Sequence, residues 1–187
     1  MPKPRITREM IIDAAFEIAR AEGVNNINAR TVSQGLGCST QPVLYYFKRI
    51  EDIKRAVYEK ADKYHTQYIT NTHSDNPMLE IGILFIRFAQ KEKHLFHLLF
   101  QSNEFEGRSV SELTGSDDIA PVIAVLSEAA GLDSGRAAEV FRILFLFVHG
   151  YASMFANNDL EYDEDVIAED LRRAFAGAVY AAGEKLK

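Results

Sequence analysis

The chain has 187 residues, 47% hydrophobic and 26% charged, with a formal net charge of −6. This composition excludes disordered, collagen-like and supercharged classes, and the length suffices for a buried core in one large or two small domains. A single cysteine, Cys38, excludes an internal disulfide framework and a cysteine zinc cage, and suits a reducing, cytoplasmic setting.

The first residues, MPKPRITREM, have no apolar stretch behind them, so no secretory signal is expected. The longest apolar run, Ile143–Val148, is six residues, whereas a membrane span takes about 18. A soluble chain without a membrane partner is expected. The net charge hides a split. Residues 1–60 hold ten Lys/Arg against seven Asp/Glu, a net of +3, and residues 61–187 hold eleven against twenty, a net of −9. Such asymmetry points to a polyanion-binding part joined to something else.

In chain order the apolar spacing is helical throughout, with no sustained period-two alternation. A first helix over 7–22 aligns Ile11, Ala15, Ile18 and Ala19, with Thr7 as N-cap and Gly23 as stop. Short helices follow over 29–36, capped by Asn28, and 40–47, capped by Ser39. A long helix over 51–69 aligns Ile53, Val57, Ala61, Tyr64 and Tyr68. Residues 71–77 read as a loop, 78–90 and 93–101 as helices, and 102–118 as a polar loop. Asp118 is a candidate cap for a helix to Ala130 that tolerates Pro121 in its first turn. The last two helices span 136–156 and 164–185, making an all-α fold of about nine helices.

The most informative stretch is NARTVSQGLGCSTQPVLYYF, residues 28–47. Two short helices joined by a glycine-containing turn form a helix-turn-helix. Gly37 supplies the positive φ, and Ser33 lets the helices approach closely. Val32, Leu36 and Cys38 fill the wedge, and Val43 and Phe47 anchor the second helix. Thr40, Gln41, Pro42, Tyr45 and Lys48 are left on the outer face. Short polar, aromatic and basic groups of this kind meet base edges and phosphates.

Residues 5–64 resemble the DNA-binding domain of TetR-type transcriptional regulators, through the "AEGVNNI" turn, "ARTVSQGLGCS" and "TQPVLYYFKRIEDI". The resemblance implies a DNA-binding domain over 1–64 and a helical effector-binding and dimerisation domain over 65–187. It implies base-reading roles for Thr40, Gln41 and Pro42, phosphate-clamping roles for Tyr45, Tyr46 and Lys48, and a base or phosphate contact from Arg30. Lys3, Arg5 and Arg8 form a basic arm for which solvated disorder is expected ahead of a contact with the DNA backbone or minor groove. One departure is Leu44, where the family usually has its first tyrosine, so the phosphate or thymine contact that the resemblance implies from that position is not carried over.

Beyond the motif, the helix from Arg136 is apolar almost all round from Phe141 onward, so it must meet more than its own core. The last helix aligns Ile167, Leu171, Ala174, Phe175, Ala178 and Ala182, and its small residues suit close approach. Together the two helices suit a four-helix homodimer interface, with Leu171, Ala174, Phe175 and Ala178 in the contact. Polar groups set among phenylalanines suggest a binding site for a small hydrophobic effector, with Arg87, His97, Phe100 and His149 as candidate lining. His94 and His97 at i, i+3 have no third ligand nearby, so no metal is expected, and no cofactor is implied. No GxSxG, P-loop, GxGxxG or HExxH pattern is present, so no catalytic residue is assigned.

The expected function is a ligand-responsive regulator, released as a repressor from pseudo-palindromic double-stranded operator DNA. The alternatives are a small-molecule carrier or enzyme on a helix-turn-helix scaffold, and a constitutive DNA-binding protein without effector.

Overall fold

A computed structural model of the chain describes residues 6–102, 109–114 and 119–183. Among the described residues there are ten α-helices, one 3-10 turn and no strand. The helices are α1 (Arg8–Glu22), α2 (Ala29–Gly35), α3 (Thr40–Tyr46), α4 (Ile50–Thr70), α5 (Pro77–Lys91), α6 (Lys93–Phe100), α7 (Val110–Thr114), α8 (Ala120–Ala130), α9 (Ser134–Asn157) and α10 (Glu164–Gly183). The all-α architecture read from the sequence is the one observed. The short helix α7 lies inside the stretch read as a polar loop, and the candidate cap Asp118 lies outside the described residues. The chain divides into two compact units, one of residues 1–68 and 91–104, the other of 69–90 and 105–187.

In the first unit, α1 begins where the Thr7 side chain accepts a hydrogen bond from the Met10 amide at 3.2 Å, and stops at Gly23, whose φ is +91°. Its inner face buries Ile11, Ala15, Phe16 and Ala19. Asn28 starts α2 with a capping box. Its side chain accepts from the Arg30 and Thr31 amides, and Thr31 returns a bond to the Asn28 amide. The tight turn after α2 requires the left-handed conformation that Gly37 adopts, φ +61°. Ser39 precedes α3 without a side-chain capping bond, contrary to its expected role. Val43 and Phe47 are buried, and each such side chain contributes on the order of 1.5–3 kcal/mol when removed from water. α6 completes this unit. It buries Leu95, Phe96, Leu98 and Leu99 and packs against α1.

Arg20 of α1 reaches Glu92, the residue before α6, with two hydrogen bonds, Nε to Oε2 at 2.8 Å and Nη2 to Oε1 at 2.5 Å. Glu92 is buried, and the Tyr64 hydroxyl of α4 donates to its Oε1 at 3.2 Å. The Arg20 guanidinium also lies over the Tyr64 ring, 5.4 Å from its centroid. The hydrogen bonds to Glu92 hold the guanidinium pKa above its ordinary value, against the opposing pull of desolvation.

The second unit has two apolar clusters. One gathers Ile86, Phe155, Ile167 and Leu171, and the other Leu126, Ala137, Val140 and Ala178 with Phe175 packed against them. Gly82 of α5 permits close approach to α10, because a Cβ there would lie 3.3 Å from Leu171 Cδ1. α8 ends at Gly131 in the left-handed conformation, and α9 starts on Asp133, whose side chain accepts from the Arg136 amide at 3.0 Å. α9 is the one described helix long and apolar enough to cross a membrane. The run of six apolar residues understated this, because small and aromatic residues extend the apolar stretch beyond it. α9 also carries Arg142 and His149 and packs against α8 and α10.

Two of the expected interface residues are corrected here. Leu171 and Ala178 are 5% and 4% exposed within their own chain, so their stripe faces the core of the second unit. Ala174 and Phe175 are half-buried. The faces left open are different ones. On α9 they carry Ile143, Leu146, Gly150 and Met154, and on α10 Val166, Ala176, Gly177 and Tyr180. Leu146 is 51% exposed, and a Cβ at Gly150 or Gly177 would meet nothing within 4 Å.

Candidate nucleic-acid interface

The turn at Gly37 sets the axis of α3 by two backbone bonds, Leu36 N to Val32 O at 3.1 Å and Cys38 N to Ser33 O at 3.0 Å. Ser33 is buried and its hydroxyl donates to Arg30 O at 2.9 Å, so its polar atom is satisfied inside the α2–α3 contact. Val43, fully buried, and Phe47 fix the rotation of α3 about that axis. With those two positions inward, the exposed stripe is Thr40, Gln41, Leu44, Tyr45 and Lys48, at the spacing of one helical face continued past its end.

Tyr45 is 72% exposed, with its ring edge-on to Tyr46 at 5.2 Å. Pro42 and Tyr46 are half-buried at the flanks, and Arg30 is exposed on α2. Thus Thr40, Gln41, Tyr45 and Lys48 share one open face, while Pro42 and Tyr46 are partly taken up by packing. Leu44, 52% exposed, belongs to the open face and was absent from the residues expected there. The signal that could have found it is its register, four residues from both Thr40 and Lys48.

A crevice of about 220 Å³ opens where the start of α2, the end of α3 and the start of α4 meet. Ile27, Val43 and Ile53 contribute apolar walls, and Asn28, Lys48 and Arg49 contribute polar or cationic lining. Arg49 is tied to Asp52 in the first turn of α4, Nη2 to Oδ1 at 3.0 Å. That hydrogen bond raises the arginine pKa and lowers the Asp52 carboxyl below its ordinary range. Arg8 of the expected basic arm is placed within α1, its guanidinium 5.0 Å from the Phe47 ring centroid. Lys3 and Arg5 lie outside the described residues.

The four candidate effector residues fall in different units. His97 and Phe100 belong to the first and Arg87 and His149 to the second, so neither unit gathers all four. His97 Nδ1 is 2.6 Å from Gln101 Oε1, and the Phe100 ring packs edge-on to His65 at 4.9 Å. Arg87 is ion-paired with Glu164, which also accepts from the Tyr162 hydroxyl at 3.3 Å. His149 sits between aromatic rings, 3.9 Å from Phe145 and 4.6 Å from Phe85 by ring centroids. Burial lowers its pKa, opposed by the hydrogen bond that its Nδ1 makes to Phe145 O at 2.9 Å. Among the described residues no group of three or more His, Cys, Asp or Glu could hold a metal ion.

Comparison with known proteins agrees with this architecture. An HTH-type transcriptional regulator of Bacillus subtilis (strain 168), the uncharacterized YobS, is 22% identical over 171 residues, covering 89% of this chain and 87% of the relative. The family described as "Tetracyclin repressor-like, C-terminal domain" matches residues 78–177, more than half of the 187-residue chain. With an N-terminal helix-turn-helix ahead of that match, the chain belongs to the TetR-like family of transcriptional regulators.

Proposed function

We propose that this regulator binds a pseudo-palindromic DNA operator as a homodimer, with α3 of each protomer in a major groove. The observation that carries the reading is the open stripe of Thr40, Gln41, Tyr45 and Lys48 on a helix whose rotation Val43 and Phe47 fix. Gln41 has the donor and acceptor pair that bonds adenine bidentately, and Lys48 supplies a point charge for a phosphate. Arg30, Pro42 and Tyr46 flank the stripe and take positioning contacts. Residues 1–64 are the DNA-binding domain on this reading, and the −9 remainder is held away from the polyanion.

Dimerisation runs through the open faces of α9 and α10, where exposed Ile143, Leu146, Met154 and Val166 lie among Gly150, Ala176 and Gly177. An apolar four-helix contact with small residues at its crossing fits a two-fold protomer pair. The regulator acts in the cytoplasm as a repressor, and a neutral, apolar or aromatic effector releases it. Support for that effector class comes from His149, set between the rings of Phe85 and Phe145.

Selection from random duplex DNA tests the reading. An inverted repeat with half-site centres about 34–36 Å apart, or a multiple of that, is expected. A single asymmetric motif would refute the two-fold reading. Hydrophobic compounds that stabilise the protein yet leave operator affinity unchanged would favour a carrier.

A further inference from the structure

The chain passes from the second unit into the first at the end of α5, between Gln90 and Lys91. There α5 and α6 are separated by one non-helical residue, Glu92, with φ −117° and ψ 49°. A hydrogen-bonded cluster of one Arg, one Glu and one Tyr holds each side of this joint. On the α6 side, the Glu92 carboxylate accepts from Arg20 at the end of α1 and from the Tyr64 hydroxyl of α4. On the α5 side, Arg87 is bound to Glu164 in the first turn of α10, and Glu164 also accepts from the Tyr162 hydroxyl. At the other described boundary, between Tyr68 and Ile69, α4 runs through unbroken. A hinge at an element end needs a residue that can absorb a backbone change, and Glu92 is the one placed to do so.

Stability alone does not account for the cluster on α5. The Arg87 and Glu164 side chains are 30% and 44% exposed, and ion pairs so open to water contribute little to folding. What the pair does fix is position, because it bonds α5 to α10 just before the joint. Glu92 does the same just after it, toward α1 and α4. The two clusters thus complete a bonded path from α10, whose open face is proposed to meet a second copy, through α5 and Glu92 to α1, which packs on α3. We infer that Arg87 and Glu92 are positioning residues, which lock the α5–α6 joint and so set the half-site spacing that the dimer accepts. This rests on the proposed two-fold DNA-binding reading and adds to it the residues that determine spacing. Neither residue touches DNA, and each acts through the helix it ties.

The test uses the full chain and the inverted repeat recovered by selection, with forms in which one base pair is inserted or removed between the half-sites. One base pair displaces a half-site by about 3.4 Å and turns it by about 35°, so a locked dimer loses contacts at one half-site. Wild-type affinity is expected to fall on the order of tenfold, the factor that losing roughly one base pair's contacts gives. Arg20→Gln, which removes the two-point bond to Glu92, and Arg87→Gln are each expected to shrink that ratio several-fold, with base preference inside a half-site unchanged. Loss of folded protein weakens all operators alike and leaves the ratio where it was, so a merely structural role does not imitate this result. The swap Arg87→Glu/Glu164→Arg rebuilds the α5–α10 pair with reversed polarity and should restore the wild-type ratio. A wild-type ratio retained in either single variant overturns the inference while leaving the regulator reading standing, and so does a ratio that the swap fails to restore. Equal binding of all spacings by the wild type overturns it as well, because no spacing is then set. Failure of selection to yield an inverted repeat overturns the two-fold reading on which it rests.

Discussion

Arg20 and Glu92 are 72 positions apart in sequence and joined by a two-point hydrogen bond between a guanidinium and a carboxylate. Glu92 has little access to water, whereas the Arg20 side chain is 39% exposed. Removing Arg20 leaves a buried carboxylate with the Tyr64 hydroxyl as its remaining described donor. Arg20→Ala is expected to cost about 1–2 kcal/mol, between the ranges for exposed and buried pairs. Urea denaturation measures it. The double variant Arg20→Ala/Glu92→Leu should recover part of the loss, since it removes the stranded charge as well.

The correction at α10 separates two kinds of substitution. Leu146→Glu places a charge on the open α9 face, so sedimentation velocity should show folded monomers that no longer shift operator DNA. Leu171→Glu places a charge inside the second unit and should abolish the cooperative unfolding transition, at a cost of several kcal/mol. Dimeric Leu146→Glu would move the interface elsewhere.

On the recognition face, Gln41→Ala should relax preference at particular base pairs by about 1–3 kcal/mol of discrimination. Lys48→Ala should weaken all sequences alike and reduce the slope of log K against log salt by about one unit. Binding titrations at several salt concentrations on operator and scrambled duplexes distinguish the two.

The buried imidazole of His149 gives stability a pH dependence. Its folded pKa is depressed, so between that value and the unfolded value of about 6.5 the unfolded chain binds the extra proton. Stability should therefore fall as pH drops below about 6.5 and level off below the folded pKa. His149→Gln, which keeps a donor for Phe145 O, should lose that component. Melting temperatures of the two proteins between pH 5 and 8 measure it.

The helix-turn-helix was legible because backbone chemistry constrained it. Gly37 marks the left-handed turn, Asn28 the cap, and Val43 with Phe47 the inward side of α3. The same register would have exposed Leu44, had every position four from a face residue been counted as part of that face. The open face of α9 was not legible, because a helix apolar on all sides gives no periodicity from which to choose the inner stripe. On α10 the regular spacing of Leu171, Ala174, Phe175 and Ala178 identified the core-facing side, and nothing in spacing alone says which of two apolar sides meets a second copy. The bond from Arg20 to Glu92 was hidden for another reason, since pairing across 72 positions leaves no local pattern.

The return of the chain to the first unit at α6 bears on how this protein can be recombined. A hybrid carrying only residues 1–64 would strip α1 of the helix that packs on it and Arg20 of its carboxylate partner. The compact unit that carries α3 is thus discontinuous in sequence. Exchanging that unit for another requires the strip around α6 to travel with it, so a single splice point should give poorly folded hybrids where a two-segment exchange succeeds.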